Sequence, residues 1–219
     1  MKIHQLTDGG VLKSAREYDI AANTAVHAGQ VVALSGGLVI PAVAAQTGAI
    51  LGIAAETHTG VTDAINPRAN GTKIMVWDAP NLIMKCAAPR ITAASGSTTT
   101  LVAATLATFA ANDFTGGYVR LVEKAEGSTN ADAIGQVRRI TASAADTKTF
   151  TLESGGTPVA GDVYEVFPPL GFAKGNLDAE LSGLSLAATA ALALKVVGHD
   201  RDLGYINMMA GKHFLADAT

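Results

Sequence analysis

The chain has 219 residues, of which 48% are hydrophobic, 16% charged and 5% aromatic, with a formal net charge of −3 and a mean hydropathy of +0.27. That length and apolar content allow one large β-domain or two small ones, and the lack of a basic block or an acidic tail argues against nucleic acid as the main partner. An ordinary soluble domain is about 25% charged, so this chain reads either as a component of an assembly that hides surface or as a compact domain with a weakly charged exterior.

Residues 1–19 mix polar and apolar positions without a sustained period and contain Gly9-Gly10. They read as an arm that becomes ordered against something else, or as a disordered terminus. The opening Met1-Lys2-Ile3-His4-Gln5 lacks the apolar core of a signal peptide.

From Ile20 the pattern turns to strands. Gly29 precedes the run Gln30 to Leu34, Gly36-Gly37 forms a turn, and Leu38-Val39-Ile40 ends at Pro41, where the ladder loses a donor. Gly48 to Ala54 is a further strand, with Gly52 placed where two backbones come close. Lys73 to Trp77 resumes the pattern after turn residues between Val61 and Thr72. These are meander elements of a small barrel or sandwich. Trp77 reads as a half-buried rim residue, with an exposed sugar platform as the rival. In Leu82 to Cys86, alternation puts Leu82, Met84 and Cys86 on one face. The single cysteine excludes an internal disulfide and reads as a buried thiol.

Thr98 to Pro169 reads as a complete small β-module. Val119, Leu121, Val137, Ile140, Phe150, Leu152, Val163 and Val166 lie in short β-branched and aromatic runs, separated by Gly116-Gly117, Gly155-Gly156 and Gly161-Asp162. Arg138 and Arg139 are adjacent on a strand and face opposite sides, one solvated and one paired. The loop from Glu123 to Ala133 is long and leaves the local hairpin register open.

Between Leu177 and Leu192, apolar positions recur at three to four residues (Leu177, Leu181, Leu184, Ala188, Ala191) behind Asn176 as an N-cap. This predicts a short helix, with an irregular Ala-rich loop as the rival. Leu184 to Val197 is too short and too polar to span a bilayer. Ala193 to Gly198 reads as a strand whose Val-Val-Gly echoes Ile50-Leu51-Gly52, which predicts a return to the first domain's sheet. His199-Asp200-Arg201-Asp202 reads as a solvated turn rather than a catalytic cluster. His4, His27, His58, His199 and His213 show no metal-ligand spacing, and the chain has no phosphate loop and no nucleophile elbow. The expectation is therefore no catalytic residue, no metal and no cofactor.

The expected fold is all-β: a small β-barrel or sandwich domain carrying an inserted antiparallel β-module, with at most one short helix. The division is an N-terminal arm over 1–19, a barrel domain built from 20–90 and 171–219, and an inserted module over 91–170.

Two sets of motifs carry a family resemblance. Thr100-Leu101, Asp113-Phe114, Gly116-Gly117-Tyr118-Val119, Gly135 to Ile140, Thr151-Leu152 and Gly161 to Val166 resemble a β-module that recurs in tailed-phage virion proteins. Gly29 to Leu34 followed by Ile50-Leu51-Gly52-Ile53-Ala54 resembles the opening of phage capsid decoration, or cement, proteins. The resemblance implies a structural protein made in the host cytoplasm that docks on the outside of the virion capsid, binds the major capsid protein, stabilises the expanded shell and forms homotrimers. The spread of charge and the lack of a spanning segment predict neither a nucleic-acid nor a membrane partner. The expected contact positions are Ile3, Leu6, Val11 and Leu12 near one end and Met208, Met209 and Phe214 near the other, because they are apolar and fall in no strand with an evident partner; core packing is their alternative role. The rival function is an adhesive or receptor-binding module of a tail fibre or baseplate, which predicts a host glycan as ligand. A glycan hydrolase would need paired carboxylates, and none stands out.

Overall fold

In a computed structural model of the chain, the described residues are 2–6, 15–43, 46, 48–60, 72–104, 106, 110–173, 175–177, 184–188 and 194–211. They form an all-β protein without a helix. β1 (Lys2–Leu6) is followed by β2 (Arg16–Asp19), β3 (Val31–Ser35), β4 (Leu38–Pro41), β5 (Ile50–Ala54) and β6 (Lys73–Trp77).

Strands β2 to β6 make an antiparallel sheet in the order β2-β6-β5-β3-β4. It curls until Ile20, just past β2, bridges Val39 of β4, and Ala21 N–H donates to the Val39 carbonyl at 3.1 Å. The result is a nearly closed five-stranded barrel with Val26, Val32, Val39, Leu51, Ile74 and Val76 fully buried inside. Ser35 pairs with Leu38 across Gly36-Gly37, whose positive φ values (57° and 84°) fit the tight hairpin expected there. Gly52 has the close approach predicted for it: a Cβ would collide with the Trp77 carbonyl of β6. Trp77 is half-buried and packs against the core.

β7 (Leu82–Ala87) leads into a closed six-stranded barrel. Its strands are β8 (Arg90–Ser97), β9 (Thr100–Ala103), β10 (Tyr118–Glu123), β11 (Val137–Ala144), β12 (Thr149–Leu152) and β13 (Val163–Phe167). They close in the order β10-β11-β12-β9-β8-β13. Inward residues alternate along the strands, and Val119, Leu121, Ile140, Phe150, Leu152 and Val166 are buried as the alternation requires. Phe114 lies at the end of the barrel, edge-on to Phe150 and stacked on Phe172, with both centroid distances 5.3 Å. Because Glu165 pairs with Arg90, the chain enters and leaves this barrel side by side.

The chain continues through β14 (Gly175–Leu177) and β15 (Leu184–Ala188), which pair with each other, to β16 (Leu194–Asp200) and β17 (Tyr205–Ala210). A short helix is expected over 177–192; the described residues of that range, Leu177 and Leu184–Ala188, are strand instead. Leu184 and Leu186 are buried with half-exposed Ser185 between them, so the period of two prevails over the looser spacing of three to four.

The C-terminal strands do not join the first barrel. They form a four-stranded sheet in the order β1-β7-β17-β16. Both strands in the segment expected as an arm are paired, β1 with β7 and β2 with β6. The apolar core runs from Val31, Ile50 and Ile53 through Met84, Cys86, Ile206 and Met208 of this sheet to the closed barrel. No described helix is long and apolar enough to cross a membrane.

Candidate functional site

In the four-stranded sheet, β1 and β17 pair with opposite sides of β7. Met208 of β17 and Ile3 of β1 both pair with Met84 of β7, one from each side. Leu6 pairs with Leu82, and continuing the β17 register by two residues brings Ala210 to the other side of the same leucine. β1 and β17 therefore end at the same edge of the sheet, two strand spacings or about 10 Å apart.

Residues expected near opposite ends of the sequence thus meet in one sheet, although their side chains do not share one role. Met208 is fully buried against the core, which withdraws it as a surface contact: its partner Met84 faces inward, and paired residues share a face. Met209, the next residue, faces the opposite way and is half-exposed. Ile3 and Leu6 have the strand partners that their sequence did not reveal. Val11, Leu12 and Phe214 lie outside the described residues.

The outer face of the sheet presents Lys85 from β7, Tyr205, Asn207 and Met209 from β17, and Lys195 and Asp200 from β16. The register pairs Lys85 with Asn207, Lys195 with Met209, and Asp200 with Tyr205. Lys85 Nζ is 3.2 Å from an Asp200 carboxylate oxygen and 4.4 Å from the centre of the Tyr205 ring. Lys195 is exposed. Asn207 Oδ1 is screened from solvent and accepts no hydrogen bond, alone among the described side chains. Gly198 opposite it makes room, since a Cβ there would stand 3.3 Å from Asn207 Nδ2. Sequence reasoning did not single out Lys85, Lys195, Tyr205 or Asn207 as contacts. The available signal was the alternation in Tyr205-Ile206-Asn207-Met208, which assigns Ile206 and Met208 inward and the other two outward. An apolar methionine and an aromatic ring among a few polar groups suit contact with another protein surface.

A second polar cluster lies inside the closed barrel and ties down the long loop after β10. Arg138 is buried and donates to the carbonyls of Thr98, Glu153 and Gly156 while pairing with Asp132 at 3.4 Å. Arg139 faces solvent, as the alternation of the doublet requires. Asn130 donates to Asp162 at 2.9 Å and to the Tyr164 hydroxyl at 2.8 Å. Burial alone would raise the Asp162 carboxyl, but hydrogen bonds from Ala125 N–H, Asn130 and Val159 N–H outweigh it and hold the group below its usual range. Burial, with the Asp162 and Asp132 carboxylates adding to it, pushes the Tyr164 phenol up to about 12. Gly156 sits where a Cβ would run into Asn130 Oδ1 and the Asp132 amide. Each charge here has a fixed partner, so the cluster holds a loop in place.

The turn Arg201–Gly204 is exposed at Arg201, Asp202 and Leu203, as expected, but it also makes specific contacts. It packs on the closed barrel, where Arg201 stacks over Tyr118 and Arg120 donates to the Asp202 carbonyl. Cys86 is buried, as its strand alternation implies. Among the described residues, no group of three or more His, Cys, Asp or Glu side chains is placed to hold a metal ion.

Comparison with known proteins finds no family model that matches the chain, and no curated protein or solved structure matches it either.

Proposed function

We propose that this chain is a structural virion protein that binds the outside of a tailed-phage capsid and stabilises the expanded shell, with the major capsid protein as its partner and a homotrimer as its working form. The observation that carries the reading is the four-stranded sheet that joins β1, β7, β17 and β16, whose outer face is half-exposed and carries Met209 and Tyr205. The closed barrel is an excursion between β7 and β16, and it leaves this sheet as the docking element. The mechanism is mechanical and requires no catalytic residue or cofactor. A shell under internal pressure is held at its subunit junctions by apolar area buried across them, worth about 25 cal/mol per Å² before the costs of association.

The test is a pair of outer-face substitutions, Met209→Asp and Lys195→Glu, assayed for binding to expanded, undecorated shells. Both side chains reach solvent, so the variants keep the parent's thermal transition. Affinity drops by at least about tenfold, the scale of losing one central contact. Full binding by both variants would overturn the choice of face.

Tyr205 favours a second reading. The residue is 39% exposed beside Asp200 and Asn207, as in an adhesive module that stacks on a host glycan. Lys85 already occupies the space over the ring, which leaves little of it for a sugar. Retention of host glycan without shell binding would move the assignment to that class.

A further inference from the structure

The geometry points to a latch: the turn Arg201–Gly204 between β16 and β17 clamps the inserted barrel and fixes its orientation on the four-stranded sheet. The barrel is covalently joined to the rest at two adjacent crossings, Ala87–Arg90 and Phe167–Gly171, which carry Pro89, Pro168 and Pro169. Two crossings side by side define a hinge line, and the apolar core shared by sheet and barrel resists rotation about it without directional contacts.

The turn supplies directional contacts beside these crossings. Gly204 carbonyl accepts from Ala88 N–H at 2.9 Å, at the first crossing. Arg120 of β10 reaches across to the Asp202 carbonyl while its Nε holds Glu165 of β13 at 3.0 Å. Glu165 is nearly buried, with Arg90 on its other oxygen at 3.3 Å, so the guanidinium of Arg120 is held at the height the turn needs. Arg201 lies 4.2 Å from the centre of the Tyr118 ring. His199, at the base of the turn, bonds the Pro168 carbonyl through Nε2 at 2.6 Å, at the second crossing.

Gly204 makes the fit possible. Its φ is +73°, and a Cβ would stand 2.5 Å from the Arg120 guanidinium and 2.7 Å from the Glu165 carboxylate. The turn therefore grips both crossings and the barrel wall at once. The latch depends on these contacts and not on what the outer face binds.

The test uses the full chain with spin labels on cysteines introduced at Lys195 in the four-stranded sheet and Asp146 in the closed barrel, both exposed; Cys86 is buried and stays unlabelled. The parent gives one narrow distance distribution. Arg120→Ala combined with Arg201→Ala, and separately Gly204→Val, broaden it at least about twofold, while circular dichroism reports unchanged strand content. The double variant removes contacts without adding bulk, so it remains informative if Gly204→Val fails to fold. A broad distribution in the parent, or a narrow one retained in the folded double variant, overturns the latch.

Discussion

Arg138 illustrates what one residue does in this fold. Its guanidinium is buried beneath the loop after β10, and its donors go to three carbonyls and one carboxylate. Arg138→Ala takes from the Asp132 carboxylate its buried counter-charge, leaving it the Gly156 N–H, and removes the guanidinium donors to the Glu153 and Gly156 carbonyls, a loss of about 3 to 5 kcal/mol. Urea unfolding checks this, and Arg138→Lys recovers little because an ammonium cannot reproduce the planar fork. The neighbouring Arg139→Ala changes stability by less than about 0.5 kcal/mol, as expected for an exposed side chain. The opposite facing of the doublet was legible from strand alternation. The partners of Arg138 were not, because Thr98, Asp132 and Gly156 come from separate loops. Tyr164 gives a pH signature at the same cluster. Its phenol stays neutral in the fold until about 12, whereas an unfolded tyrosine ionises near 10. Stability contributed by the neutral phenol is thus complete below pH 10 and is lost as pH rises from 10 towards 12. Tyr164→Phe flattens that part of the stability curve.

Elements were legible where a local period governs them. Most strands from β3 to β13 follow local patterning and glycine placement, and Gly52 and Cys86 occupy the environments their patterns predict; the exception is β8 (Arg90–Ser97), which lies ahead of Thr98, where the sequence pattern of the module begins. β1 was not legible, because an irregularity between Ile3 and Gln5 breaks its period of two and its partner β7 is almost 80 residues away. The apolar spacing over 177–192 satisfies a helical template and also, from Leu184 to Ala188, a strand template; tertiary packing decides between them. His199 at the end of β16 makes the joint acid-sensitive. Burial first, with Arg201 nearby, depresses its imidazole below the ordinary range despite the Pro168 hydrogen bond. A depressed folded value means that the unfolded chain binds the proton more readily, so stability is complete above about pH 6.5, the ordinary histidine value, and is lost as pH falls below it. His199→Gln removes this acid loss, as thermal unfolding between pH 7 and pH 5 checks; an unchanged acid slope in the variant assigns the loss to other groups.

At the scale of the molecule, a nearly closed barrel and a closed barrel accompany a sheet that joins β1, β7, β17 and β16. The low charge fraction suggested a component of an assembly, and the sheet supplies a face through which assembly can occur. Which residues form that face required three dimensions, since β7 and β17 lie more than 100 residues apart in sequence and only their pairing separates Met209 from Met208. The measurement that tests the central claim most directly is co-sedimentation of the purified protein with expanded, undecorated phage shells, alongside unexpanded proheads and isolated tails. The account predicts saturable binding to expanded shells alone, at a stoichiometry of three chains per local three-fold position. Binding to tails, or to none of these particles, would contradict it.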